Sequence, residues 1–182
     1  MTTETLVKTK WALDPTHSEI QFKIRHMMIT NVNGNFGKFT VDLETEDQHF
    51  ETSKISFSAE VDSVSTNHPQ RDGHLKTADF FDAPKYPTIT FVSNKLEKVA
   101  GEDYILHGDL TMHGVTKKIK LQVEHGGVIK DPYGQTRTGF SIEGKIDRRD
   151  FDLKWNGPLD NGGLVLGEEV KIHASIEFIK QA

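Results

Sequence analysis

Glu19-Ile20-Gln21-Phe22-Lys23-Ile24-Arg25-His26 decides the fold. Ile20, Phe22 and Ile24 fall at every second position, with Glu19, Gln21, Lys23 and Arg25 between them. A β-strand turns successive side chains to opposite faces, so the stretch reads as a half-buried antiparallel strand with one apolar and one wet face. The pattern recurs along the chain. Ile55, Phe57, Ala59 and Val61 alternate with Lys54, Ser56, Ser58 and Glu60, and Val170, Ile172, Ala174, Ile176 and Phe178 alternate with Lys171, His173, Ser175 and Glu177. Tyr104 to Met112, Phe39 to Leu43, Ile119 to Val123, Phe140 to Ile146, Ile89 with Phe91 and Trp11 with Leu13 complete a count of eight or nine strands.

Turn chemistry separates these runs. Asp14-Pro15-Thr16-His17, Asn31-Val32-Asn33-Gly34-Asn35, Ala100-Gly101, His113-Gly114, Gly126-Gly127 and Pro132-Tyr133-Gly134 are the expected connections. Connections this short imply sequential antiparallel pairing. A sandwich and a closed barrel both accommodate many short strands, but runs of nine or more residues with inward stripes of large side chains and an occasional Gly or Ala favour a barrel. The expectation is an all-β chain folded as one domain over residues 1–182, a single antiparallel eight-stranded barrel with one short helix, wide enough to hold one small ligand. Asn156 to Gly167, rich in Gly and Asn, is expected to form a loop at the barrel mouth.

Composition excludes several function classes. A formal charge of -5, spread evenly, does not suit a nucleic-acid partner. No run of about 18 apolar residues occurs, and Met1 to Lys10 is polar, so neither membrane insertion nor a secretory signal is expected and the cytoplasm is the expected location. Cysteine is absent, which removes thiol nucleophiles, disulfides and zinc-thiolate sites together. Eleven of the sixteen aromatic residues are Phe, which points to an aromatic core. The nine His include no pair at helix-face spacing, and no metal is expected. No Gly-x-Ser-x-Gly elbow, His-Glu-x-x-His or phosphate-binding glycine loop occurs, so no catalytic residue and no cofactor is assigned.

One segment breaks the alternation. Pro69 to Phe81 reads as a helix of about three turns, with Arg71, His74, Leu75 and Ala78 brought together at spacings of three and four. Two readings stand. The segment is a lid that buries Leu75 and Phe80 and is tied to the rim by Arg71 and Asp72, or Arg71 and nearby His residues meet a polar or anionic head group, since a guanidinium holds phosphate bidentately. His26 shares the inward parity of Ile20, Phe22 and Ile24 and reads as either a hydrogen-bonded core residue or a ligand contact. Arg148, Arg149 and Asp150 read first as a charge cluster at a strand end on the rim, with a binding role as the alternative.

Longer motifs resemble a known family. Asp14-Pro15-Thr16-His17-Ser18-Glu19-Ile20-Gln21-Phe22, His26 and Val32-Asn33-Gly34-Asn35-Phe36 are similar to the opening of YceI-like proteins. Arg71-Asp72-Gly73-His74-Leu75, Phe80-Phe81-Asp82, Tyr86-Pro87-Thr88-Ile89-Thr90-Phe91, Gly108 to Lys117 and Ile146-Asp147-Arg148-Arg149-Asp150-Phe151 continue the resemblance in order and spacing. It implies a lipocalin-like barrel whose apolar channel holds an isoprenoid lipid, a polyprenyl pyrophosphate or an isoprenoid quinone, as carrier or store. Relatives often dimerise, so a homodimer is expected, and many carry a secretory signal, which is not expected here. Asp152 stands where the family often has Gly, so a different turn is expected there.

The channel candidates are Phe22, Ile24, Phe39, Val41, Phe57, Phe91, Leu110, Leu121, Phe140, Ile142, Ile172 and Ile176, some of which must instead pack the closed end. His26, Arg71 and His74 are the candidates for the head group at the mouth. The alternative is an enzyme acting on a lipid or small apolar substrate, with His26 or His74 as acid-base group.

Overall fold

Antiparallel pairing runs from β1 (Lys8–Leu13) through β4 (Phe39–Glu46), β5 (His49–Glu60), β7 (Thr88–Ala100), β8 (Asp103–Met112), β9 (Val115–Lys130) and β10 (Thr136–Asp147) to β11 (Leu166–Lys180), and returns to β1. The closing register sets Trp11 against Lys180 and Leu13 against Phe178. The result is a closed eight-stranded barrel. The computed structural model describes residues 5–182. β11 is longer than its partner β1, and the rest of its edge pairs with β2 (Glu19–His26), then β3 (Thr30–Phe36) and the two-residue β6 (Val64–Ser65). These three additions bring the described strands to eleven.

The alternation read from the sequence is visible as burial. Along β8, Tyr104, Leu106, Leu110 and Met112 are buried and their neighbours are not. Along β2, Ile20, Phe22 and Ile24 are only half-buried, because they face a space instead of packed atoms. Aromatic residues fill the opposite end of the barrel. Phe50 lies 5.7 Å from Trp11 and 5.6 Å from Phe140, Phe140 lies 6.1 Å from Phe178, and the His125 ring stacks on Phe140 at 4.8 Å. His125 donates or accepts at Thr138 Oγ1 (2.7 Å) and reaches Glu102 (3.2 Å). Burial lowers its pKa and outweighs the opposing pull of Glu102.

Three glycines let large side chains lie flat against the wall. A Cβ on Gly34 would come 2.2 Å from Phe22 Cζ, one on Gly144 2.3 Å from Leu121 Cδ2, and one on Gly108 2.3 Å from Phe91 Cζ. Gly34 therefore belongs to a strand, not to the expected Asn31–Asn35 turn. The chain reverses instead at Met27 and Met28, both at positive φ (51° and 63°), where turn-forming residue types gave no signal. Gly126-Gly127 is likewise no hairpin: it lies inside β9 at a bulge, with Gly127 at φ 95° and the β10 register shifting between Thr138 and Phe140. Asp152 takes the left-handed conformation (φ 59°) that glycine favours.

The helix α1 (Pro69–Leu75) is two turns long, shorter than the three expected. His68 caps it by accepting from the Arg71 N–H (3.2 Å). It stops because Thr77 Oγ1 donates to the His74 carbonyl (2.7 Å) and the Phe81 N–H turns back to the Leu75 carbonyl (3.0 Å). Ala78 is consequently exposed and leaves the face shared by Arg71, His74 and Leu75.

A cluster of charges ties the seam near the closed end. Arg137 donates to Asp131 (2.6 Å), Asp14 Oδ2 (2.7 Å) and Glu177 (2.8 Å), and His17 Nδ1 meets the same Asp14 oxygen at 2.8 Å. His17 and then Thr16 and Arg137 hold the Asp14 carboxyl well below its ordinary 3.8, and Arg137 lowers Asp131. Asp14 raises His17. A depressed carboxyl contributes stability that is present above its unfolded pKa and lost as pH falls through the folded value; the raised, largely exposed His17 has the opposite sign, losing its contribution as pH rises above 6.5.

Two outcomes are expected in urea unfolding. Below about pH 4 the midpoint falls, and Arg137→Met flattens that acid limb. Gly108→Ala costs about 1–3 kcal/mol because the new methyl meets the Val92 carbonyl at 2.6 Å as well as Phe91, whereas Gly34→Ala costs less because the Phe22 ring has open space to turn into.

Candidate functional site

The open half of the barrel encloses a cavity of about 380 Å³, within the range of small-molecule pockets, roughly 300–1,000 Å³. Its walls are almost wholly apolar. Phe22 and Ile24 of β2, Val41 of β4, Phe57 of β5, Phe91 of β7, Leu110 of β8, Leu121 of β9, Ile142 of β10, and Ile172 and Ile176 of β11 all line it. Phe39 and Phe140 do not. Phe39 shares the inward parity but packs beside Phe57 at 6.2 Å, and Phe140 belongs to the aromatic plug. Period-two alternation assigns a face, and depth along the barrel decides whether that face meets space or packed rings. A void of about 40 Å³, lined in part by Phe140, Ile142, Ile176 and Phe178, separates cavity from plug.

Polar groups gather at the mouth. His26, Arg71 and His74 line the cavity there. The His26 ring has no hydrogen-bond partner among the described residues, which does not suit the core-histidine reading. Arg71 directs Nε to Thr66 Oγ1 and Nη2 to the Thr66 carbonyl, both at 2.7 Å, while Asp72 accepts from the Thr66 N–H (2.7 Å). The lid and head-group readings of α1 are thus compatible: two of the Arg71 nitrogens anchor the helix and Nη1 has no partner among the described residues. His74 Nε2 lies 2.9 Å from Asp79 Oδ2, and its ring meets Phe80 (5.0 Å) and Trp155 (5.1 Å) edge-on.

Sequence reasoning did not single out Trp155. It lies in the stretch between Phe151 and β11 with no periodic signal, and only folding brings it to the helix. The Asn156–Gly167 loop does reach the mouth, where Val165 and Leu166 line the cavity and Asn156 bridges to Leu166 through both its amide nitrogen (2.8 Å) and its oxygen (3.0 Å).

The rim-cluster reading of Arg148, Arg149 and Asp150 is corrected for its first member. Arg149 is an outer residue paired with Asp147 (2.6 Å) and Glu168 (3.0 Å), but Arg148 is only 4% exposed and lines the cavity. Asp14, His17 and Glu177 bring ligand atoms within 4.8 Å of one another, the one such group among the described residues. The Arg137 guanidinium already fills the space between Asp14 and Glu177, which makes the group an ion-pair network. No helix of the described residues is long and apolar enough to cross a membrane.

A family model described as a YceI-like domain matches residues 11–178. A UPF0312 protein of Staphylococcus aureus is 37% identical over 171 residues, which cover 93% of this chain and 97% of the relative. The crystal structure of the Campylobacter jejuni YCEI protein superposes with a TM-score of 0.75 at 34% identity, covering 88% of this chain and 91% of that one. Two more distant structures share the fold. Burkholderia cenocepacia BcnA has a TM-score of 0.77 at 21% identity, over 91% and 98% of the two chains. A Saccharophagus degradans domain, described as polyisoprenoid binding and implicated in plant cell wall breakdown, has a TM-score of 0.65 at 17% identity, over 94% and 98%.

Proposed function

The chain belongs to the YceI-like family, and on that footing we propose that it is a non-enzymatic protein that carries or stores a long-chain isoprenoid lipid, a polyprenyl pyrophosphate or an isoprenoid quinone, in its barrel. One observation carries the reading: the cavity is apolar along its depth and collects its polar side chains at the mouth. A ligand matched to that space has a long apolar tail and a polar end. The polyisoprenoid-binding description of the Saccharophagus degradans domain supports the same chemistry.

The tail supplies most of the affinity. Burying one methylene contributes about 0.8 kcal/mol, so several five-carbon units offset the roughly 4–15 kcal/mol cost of association. Phe22, Ile24, Val41, Phe57, Phe91, Leu110, Leu121, Ile142, Ile172 and Ile176 hold the tail in this proposal, and His26, Arg71 and His74 meet the head group and orient it. The His74–Asp79 contact is the one feature that favours the alternative, an acid-base enzyme on a lipid or small apolar substrate. In that case His74→Ala abolishes product formation by a folded protein.

The proposal includes a homodimer. β6 pairs with β3 only at Asn35 and Phe36, which leaves the Thr30–Gly34 stretch of β3 without a strand partner on that side among the described residues, an edge suited to a second copy. Sedimentation at rising concentration is expected to show a dimer; a monomer throughout refutes it.

Native mass spectrometry of freshly purified protein, followed by solvent extraction, tests the ligand. A stoichiometric isoprenoid is expected. Phe57→Asp places a carboxylate in the apolar wall and is expected to cut lipid occupancy at least about tenfold, while Lys171→Glu on the outer face leaves it intact. Equal loss in both variants, or an empty wild-type protein that takes up neither prenyl pyrophosphate nor quinone, overturns the channel reading.

A further inference from the structure

Arg148 differs from the other described arginines. Arg137 and Arg149 are paired with carboxylates, and Arg25 and Arg71 are exposed. Arg148 is 4% exposed, has no carboxylate within ion-pair distance among the described residues, and lines the apolar cavity. The two nearby acids, Asp147 and Glu168, both bind the Nη2 of Arg149 on the outer surface. Removing one partner of a buried charge is costly because the remaining charge has lost its water, and Arg148 has no paired carboxylate, only the longer-range pull of Glu168 and Asp147, which burial outweighs.

Arg148 Nε donates to the Gly167 carbonyl (2.8 Å), and Nη1 donates to the carbonyls of Leu153 (2.7 Å) and Trp155 (2.8 Å). These three bonds hold the guanidinium still and tie the start of β11 to the stretch that carries Trp155. Nη2, with two N–H groups, has no partner among the described residues. It is not sealed off either, since no buried side-chain nitrogen or oxygen there lacks a partner. A fixed cation with two free donors on a single nitrogen, in a low-dielectric wall, is suited to one oxygen of an anion. Both two-nitrogen forks of the guanidinium include a nitrogen already used, so the contact is made through Nη2 alone.

We propose that Arg148 is a ligand-binding residue that receives a phosphate oxygen of the lipid head group through Nη2, and that the barrel therefore selects an anionic isoprenoid over a neutral one. This rests on the carrier reading above and narrows it from pyrophosphate or quinone to the charged class. Arg71, at the mouth, has its own free Nη1 and serves the outer side of the same head group. Burial lowers the Arg148 pKa, the expected direction for a guanidinium without a counter-ion, and an arriving anion relieves that penalty.

The test compares geranylgeranyl phosphate with geranylgeraniol, which share a tail and differ in charge. Wild-type protein is expected to bind the phosphate about tenfold to a hundredfold more tightly, the value of a charge-assisted hydrogen bond. Arg148→Gln is expected to remove most of that ratio and Arg148→Lys to restore part of it. A ratio unchanged by Arg148→Gln, or affinities for both lipids that fall in step, overturns the proposal and leaves Arg148 a clamp for three carbonyls. If neither lipid binds the wild-type protein, the carrier reading falls and the proposal falls with it. Should Arg148→Gln not fold, the guanidinium nitrogen resonances of wild-type Arg148 decide: a shift with the phosphate and none with the alcohol supports the proposal, and the same response to both refutes it. Inorganic phosphate, titrated alone, distinguishes a free anion from a lipid head group; binding of it without discrimination between the two lipids overturns the lipid assignment.

Discussion

Closing the sheet through β1 and β11 is the constraint from which the rest of the structure follows. Once eight strands form a ring, the enclosed volume is set by strand number and stagger, and side chains either fill it or leave a hole. This chain does both, at different depths. Trp11, Phe50, Tyr104, His125, Phe140 and Phe178 converge at one end and close it. In the other half Phe22, Phe91 and Leu121 fold back over Gly34, Gly108 and Gly144 on neighbouring strands, so large residues coat the wall without crossing the lumen. Glycine at those three positions thus preserves an open interior in a barrel narrow enough to fill.

An open apolar interior has consequences for the charges around it. Arg137 sits outside, near the closed end, and satisfies itself with three carboxylates, so its network serves the seam. Arg148 is held by carbonyls alone beside the cavity, and Arg71 is half committed to Thr66 at the mouth. Low dielectric makes an unmatched charge both expensive and selective. In the proposed carrier, such a group against the cavity discriminates by charge at the head while the tail provides affinity, a division of labour that matches the shape of the cavity.

Much of this was legible in the residues. Inward and outward faces of β2, β5, β8 and β11 follow from alternation, and ten of the twelve channel candidates reach the cavity wall. Phe39 and Phe140 have the right parity, but Phe39 packs beside Phe57 and Phe140 belongs to the aromatic plug. The Met27-Met28 reversal was illegible because neither residue type favours positive φ, while Asn33-Gly34, which does advertise a turn, runs straight so that Phe22 has somewhere to lie. The helix ended early because Thr77 and Phe81 found competing partners at its last carbonyls. Arg148 looked like its neighbour Arg149, since adjacent residues of one type carry no mark of which one turns inward.

Sequence by itself determined the fold class, the face each strand residue takes and the one place where the alternation is broken, because these depend on neighbours within a few positions along the chain. Tertiary structure alone decided which inward residues plug the barrel and which line it, that Trp155 meets His74, and that Arg148 is buried with no ion-paired carboxylate among the described residues. Those outcomes depend on register and closure between strands far apart in sequence, where a side chain's surroundings are set by residues that no local pattern places beside it.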